Sequence, residues 1–550
     1  MAVGERALER GVAVVTITPL HIWFRLLRHH LRLLAPSSAI WIIGLVAVAM
    51  LVSSAYETTM PTEADRQALA ISVEGNPAFE AMFGRAISLD TIEGFTMWRA
   101  GGPLIPAIVI WGVLVGTRLG RGEEDRGHDE LLLGGILSRA ALLLSALAAL
   151  GILAVIYAAA TTLGLPLVSA IGLEGSLRFA LAMAGGFLTF TALGTLLAQI
   201  MPTRSAALRA GLGVVGITLA LRMLSVLEAA PDWLPWLTPF GWYAETGTAQ
   251  IGSNLPFLLF ALTTLAFAVG AVMLCREREL HGSRLVTEQE SATATRSYRS
   301  LWAHQVRQDG PSILGFGAVG VLLSLIFGMV ADEFVDFIEG FPAFAEILAA
   351  FGLEDPTDPA AYVGLIVTVL VLIPALFAAS VVAALRDDEA TGRLTVLLVL
   401  PIRRVKWLLV NAVVAIAGIT LISLVIGFSA MAGTGITGTM LAPLDALRAG
   451  LNLIPMAVMF TGMGILVFGL YPPLTGPAVY TVLLASFIVV MMDAFLDIPD
   501  WIVSLSPFDH LALVPGEPAN LTASAAFLLI GLGSGIIGSI AFRYRDLMMD

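Results

Sequence analysis

Two polar segments interrupt this otherwise apolar chain, and each sets carboxylates beside guanidinium groups at matching spacing. The first runs Arg121-Gly-Glu-Glu-Asp-Arg-Gly, contributing Arg121, Glu123, Glu124, Asp125, Arg126 and Gly127, with Glu130 just beyond; the second supplies Arg386, Asp387, Asp388, Glu389, Gly392 and Arg393. Acids interleaved with arginines suit charge-assisted pairing with another protein surface. The residues needed for catalysis are missing. A phosphate-cradling G-x-x-x-x-G-K-[ST] loop needs a lysine, and the only lysine is Lys406, preceded by Arg403-Arg404-Val405. Neither H-E-x-x-H nor G-x-S-x-G occurs. The seven histidines are scattered, with His29 and His30 adjacent and so not at i, i+4, and a lone cysteine, Cys275, excludes disulfide and Cys-x-x-Cys metal frameworks. The expectation is a chain with no catalytic residues and no metal or cofactor of its own.

Both segments belong to a duplication. Gly127 recurs as Gly392, 265 residues on, and Pro77-Ala78-Phe79 recurs as Pro342-Ala343-Phe344 at the same displacement. Pro231-Asp232-Trp233, followed by Thr238-Pro239-Phe240, returns as Pro499-Asp500-Trp501 followed by Ser506-Pro507-Phe508, displaced by 268. Common order and near-common offset make chance matches a poor explanation. The prolines forbid one long regular helix there, and the tryptophans suit a membrane-water interface. Pro231, Asp232, Trp233, Phe240, Pro499, Asp500, Trp501 and Phe508 carry these two elements, which a plain aromatic belt explains.

The elements that position these residues are membrane helices. Of 550 residues 57% are hydrophobic and 13% charged, and the mean hydropathy is +0.88, far from a soluble domain of this length. Apolar runs of about 20 residues, the length that crosses a hydrocarbon core of about 30 Å, fall near 37–55, 103–119, 140–163, 177–200, 208–227 and 255–275, then near 312–330, 361–385, 407–428, 447–470, 475–496 and 520–541. The fold class expected is all-α and polytopic, with about twelve spanning helices in two fused, parallel six-helix halves related by an axis along the membrane normal. Of the 30 lysines and arginines, all but Arg66, Arg85, Arg99, Arg178, Arg222 and Arg448 fall on the side of both termini, which puts the termini in the cytoplasm. The acidic loop 332–358 then lies outside. Before the first span, Leu20, Trp23, Phe24, Leu27, Leu31 and Leu34 oppose Arg25, Arg28 and Arg32, so 1–36 reads as a cytoplasmic N-terminus with an interfacial amphipathic helix. Residues 37–275 and 301–545 form the halves, and the polar stretch 276–300 is a cytoplasmic linker. Arg222, near the outer end of the fifth span, either snorkels or faces a wet cavity.

The repeated polar loops resemble one family, the type-two ABC export permeases, above all the long duplicated forms of the polyketide-antibiotic and drug exporter kind. Their loop reads like R-x-E-E-x-x-G-T-L-E-x-L-L-x-x-P-[VI]-S-R; 121–139 departs from it with His128-Asp129 and lacks the proline, whereas 386–404 keeps Pro401-Ile402. The resemblance implies that Arg121 to Glu130 and Arg386 to Arg393 dock on two copies of a separate ATPase, which would carry the ATP and Mg. It further implies an amphiphilic cargo leaving a bacterial cell through the inner membrane, with membrane lipid as the remaining partner and no nucleic acid, and it makes the residues of the two Pro-Asp-Trp elements candidates for an extracellular gate, a reading that fits them about as well as the plain aromatic belt. The rival reading is a proton-coupled carrier of the major facilitator type, whose G-x-x-x-D-R-x-G-R loop Gly120 to Gly127 superficially matches. The shortage of charges within most spans argues against it.

Overall fold

The computed structural model describes residues 19–547 apart from 74–79, 81–82, 126–137, 202, 226–230, 278–299, 332–357, 438–440 and 494–498. Every regular element among them is helical. Twelve helices are long and apolar enough to cross a membrane: α1 Pro19–Thr59, α2 Ile92–Gly122, α3 Arg139–Val168, α4 Leu173–Ile200, α5 Arg204–Leu224 and α6 Leu255–Glu277 in the first half. The second half has α7 Leu301–Met329, α8 Ala360–Ala390, α9 Arg404–Thr437, α10 Pro443–Leu470, α11 Thr475–Asp493 and α12 Leu521–Tyr544. The chain is an all-α polytopic membrane protein. Side-chain caps start several of these helices: Ser138 Oγ accepts from Ala141 N, Ser300 Oγ from Ala303 N, and Asn520 Oδ1 from Ala523 N, each satisfying an amide the helix itself cannot. Helix α10 ends at Leu470 because Pro472 and Pro473, in the uncharged stretch Tyr471-Pro-Pro-Leu, supply no amide to continue it.

The two halves repeat one packing pattern. In the first, α1 lies on α3, α2 on α4, α3 on α4 and α6 on α4; in the second, α7 lies on α9, α8 on α10, α9 on α10 and α12 on α10. The fourth helix of each half is thus its hub. Lipid offers no hydrophobic drive for helix association, so close approach of small residues carries the packing. Gly112, Gly116 and Gly120 line one edge of α2; a Cβ at Gly112 would come within 2.7 Å of the Phe187 carbonyl oxygen, and one at Gly120 within 2.7 Å of the Ala198 Cβ. Gly462 and Gly469 of α10 lie against the backbone at Gly531 and Gly538 of α12 in the same way. The described residues fall into two compact units, one within Met1–Ala70, Ala86–Leu219 and Trp233–Glu288, the other within Ile71–Arg85, Ala220–Asp232 and Gln289–Asp550.

The N-terminal amphipathic stretch is not a separate helix. Helix α1 runs unbroken for 41 residues through Pro36, about 60 Å at 1.5 Å per residue and so about twice a hydrocarbon core. Its polar end buries Leu26, His30 and Leu34 and leaves Arg25, Arg28 and Arg32 exposed. The inward face is held by His30 Nδ1, 3.2 Å from Ser145 Oγ on α3, which explains why the segment extends the span.

Candidate functional site

The first polar loop grows out of α2 through a widened π-helical turn, Arg118–Gly122. Such a turn frees backbone groups that need other partners: Gln199 Nε2 of α4 donates to the Gly120 carbonyl at 3.1 Å. The opposite end of the same helix repeats the device, since the Tyr243 hydroxyl donates at 2.7 Å to the Met97 carbonyl in the π turn Thr96–Ala100. Beyond Gly122 the loop turns its charges inward. Arg121 is 2% exposed, with Nη1 3.6 Å from Glu124 Oε1 and Nε donating to Asp125 Oδ1 at 3.1 Å. Asp125 Oδ2 accepts from the backbone N of Arg204 at 2.8 Å, so its carboxylate caps the start of α5. Glu123 and Glu124 are both buried. Arg126, Gly127 and Glu130 lie outside the described residues.

The second loop is described throughout. Helix α8 ends as Thr391 donates from N and Oγ1 to the Asp387 carbonyl, and Gly392 then takes φ 73°, the left-handed conformation that glycine adopts without a Cβ penalty. A short helix, Arg393–Val399, follows. Asp388 and Glu389 are buried; Asp388 accepts from Gln308 Nε2 at 3.2 Å and pairs with Arg393 at 3.0 Å. Glu389, 1% exposed, is gripped by both terminal nitrogens of Arg545, at 2.6 and 2.8 Å. Arg386 is half-buried and Asp387 exposed.

These positions alter the expectation that the loop acids face a partner. Glu123, Glu124, Asp388 and Glu389 are turned into the fold, because a carboxylate at the end of a spanning helix can be buried only with a cation or donors beside it. What the short helix presents outward is different: Val396, Val399 and Leu400 are exposed beside Arg393, while Leu394 is buried and Leu397 and Leu398 pack inward. The sequence pattern turned these four carboxylates outward, whereas the outward face of the short helix is largely apolar.

The Pro-Asp-Trp elements divide similarly. Trp233 and Trp501 are exposed, at 59% and 67%, as are Pro231, Asp232, Pro499 and Asp500. Phe240 and Phe508 are core residues of their own halves, with rings 6.0 Å from Phe190 and 5.3 Å from Phe487. In both copies a hydroxyl caps the proline-led turn: Thr238 Oγ1 accepts from Gly241 N, and Ser506 Oγ from Phe508 N. Phenylalanine and tryptophan of one motif thus point to different environments and do not form one surface. Arg222 is buried, with Nη2 donating to the Glu80 carbonyl at 2.7 Å.

Over this fold, the sequence matches the family described as Multidrug efflux system permease Rv1217c, C-terminal domain, at residues 27–275 and 299–543. The chain belongs to that family. It is also 27% identical over 552 residues to the Multidrug efflux system permease protein Rv1217c of Mycobacterium tuberculosis (strain ATCC 25618 / H37Rv), an alignment covering 99% of this chain and 97% of that protein. The matched stretches run from within α1 to the end of α6 and from just before α7 to within α12, so both polar loops fall inside the family's domain.

Sequence reasoning passed over two members of this permease's polar framework. Arg178 on α4 donates to the Thr246, Gly247 and Ser253 carbonyls and to Asn254 Oδ1, clamping the connection between the short helix Pro239–Thr246 and α6. Arg545 stood in the sequence only as a terminal positive charge, and nothing in the pattern tied it to Glu389, 156 residues away.

Proposed function

We propose that this chain is the transmembrane subunit of an ATP-driven exporter that moves amphiphilic, drug-like compounds out of the cell, powered by two copies of a separate ATPase. Membership in a multidrug efflux permease family supports the cargo class and direction. The absence of a phosphate-binding loop from the sequence supports an external source of ATP energy. On this reading both termini and both polar loops are cytoplasmic, as the skew of lysine and arginine favours.

One observation carries the docking argument. The helix Arg393–Val399 is fixed on its inner side by Leu394 and by the Asp388–Arg393 pair, yet leaves Val396, Val399 and Leu400 bare. Apolar side chains held rigidly beside a cation, at the end of a spanning helix, fit a protein groove that receives a short helix.

The test is co-purification of the tagged chain with its ATPase and measurement of ATP hydrolysis, comparing wild type with Val396→Asp/Val399→Asp. Loss of the ATPase from the variant, with an unchanged elution profile of the permease, supports the reading. An ATPase retained in full by the variant removes this helix from the interface. Export by the purified wild-type chain on a proton gradient alone replaces the ATP-driven mechanism with a secondary carrier. Charge reversal at Glu124 or Glu389 would not serve, because it breaks buried pairs and so tests folding.

A further inference from the structure

Arg545, the first residue beyond α12, makes two separate ties to one stretch of chain. Its guanidinium holds the Glu389 carboxylate bidentately at 2.6 and 2.8 Å, and its backbone carbonyl accepts from Arg404 Nη1. Glu389 is the penultimate residue of α8 and Arg404 the first of α9. Both ends of the connection that bears the short helix Arg393–Val399 are therefore fastened to the single residue that follows a third helix.

The fastening is largely shielded, with the Glu389 side chain 1% and the Arg545 side chain 10% exposed. The Arg545 guanidinium lies 5.3 Å from the Phe468 ring centre and 5.4 Å from that of Phe542. Trp407 of α9 meets the same two rings at a tilt, with centroids 6.3 and 5.8 Å away, so three helices supply one aromatic floor. A bidentate pair fixes orientation as well as distance, and exclusion of water strengthens it. Helix α12 is in turn pressed on α10 at Gly462 and Gly469, where backbone meets backbone and no side chain cushions relative sliding.

We propose that Arg545 is a positioning residue that makes the 389–404 connection and α12 move as one body, so that a push on the short helix reaches α12 and, through the glycine contacts, α10. The proposal rests on the docking reading above and names the route by which force leaves the docked helix.

The test uses the full-length chain carrying Arg545→Gln, Arg545→Lys, or the exchange Glu389→Arg/Arg545→Glu. Hydrogen exchange on each purified permease reads the tie itself: amides of 389–404 should exchange about tenfold faster or more in Arg545→Gln, with the α4 core unchanged. Wild-type protection there overturns the proposal. In the complex with the ATPase that co-purifies with wild type, Arg545→Gln should retain binding and basal hydrolysis but lose most of the drug-stimulated increment. Arg545→Lys should fall between, and the exchanged pair should recover part of the increment. Full stimulation in Arg545→Gln also overturns the proposal. Should Arg545→Gln fail to fold, Arg545→Lys and the exchanged pair still rank the effect, and equal stimulation in both to wild type rejects it. If wild type brings down no ATPase, the docking reading fails, and the exchange measurement alone decides whether Arg545 ties the connection to α12.

Discussion

Replacing Gly112 with alanine should destabilise the first half even though alanine is the better helix former. A Cβ at this position would stand 2.7 Å from the Phe187 carbonyl oxygen, 3.0 Å from Thr191 Oγ1 and 3.2 Å from Thr191 N, where ordinary contact begins at 3.4 Å. Two of these atoms are backbone, so α2 and α4 must part by about 0.7 Å, a gap that forfeits about a quarter to a half of each dispersion contact along the seam. Overpacking of this kind costs about 1–3 kcal/mol, and no hydrophobic term in lipid offsets it. Gly151 of α3 is the control, because nothing lies within 4 Å of the Cβ it would gain; Gly151→Ala should be neutral or slightly stabilising. The assay is the apparent melting temperature of the detergent-purified permease by tryptophan fluorescence, with a drop of about 2–8 °C expected for Gly112→Ala. Equal melting of the two variants would refute the claim that glycine is present for close helix approach.

At Gly392 the left-handed φ of 73° predicts an ordering of substitutions. Gly392→Ala should cost about 1 kcal/mol or more and Gly392→Asn less, since asparagine tolerates that conformation; the melting temperatures of the two variants measure it, and equal losses would locate the requirement in side-chain size. In the first half, Arg178→Met removes donors from the Thr246, Gly247 and Ser253 carbonyls. Amides of 246–254 should then exchange faster while the centre of α4 keeps its protection, and unchanged exchange would show that the clamp is dispensable.

The helices were legible because about 20 apolar residues in a row are needed to cross a bilayer and few other structures use them. The polar loops were legible because their charges recur at one displacement in a chain that is otherwise poor in charge. Which way those charges point was not. Glu124 and Glu389 occupy helix ends where pattern alone suggests a solvated loop; Arg121 stands only three residues from Glu124, but the arginine that holds Glu389 is 156 residues away in the chain. The tyrosine at 243 shows the same limit: it reads as an interfacial aromatic, yet its hydroxyl reaches a carbonyl released by a π turn in α2, a turn with no sequence signature of its own. Helix α1 misled for a related reason. Alternation of leucine and arginine over 20–34 fits a helix lying on the bilayer, but the inward face meets Ser145 of α3, so the same pattern extends a span.

Burial of the loop acids changes what the proposed docking would require. A flexible polar loop loses conformational freedom when a partner orders it, and that loss is subtracted from the binding energy. Here the ordering is complete beforehand. Asp388 holds Arg393 at the first turn of the short helix, Glu389 holds Arg545, and Gly392 sets the reversal between α8 and the short helix. Apolar replacements of similar size could fill the same space, often at no loss of stability, but they would leave the loop free to slide among near-equivalent packings. Bidentate and capped pairs admit one arrangement. Under the proposed coupling, that single arrangement serves the chain better than a stronger core, which would give a physical reason for the carboxylates at both repeats in a protein that is only 13% charged.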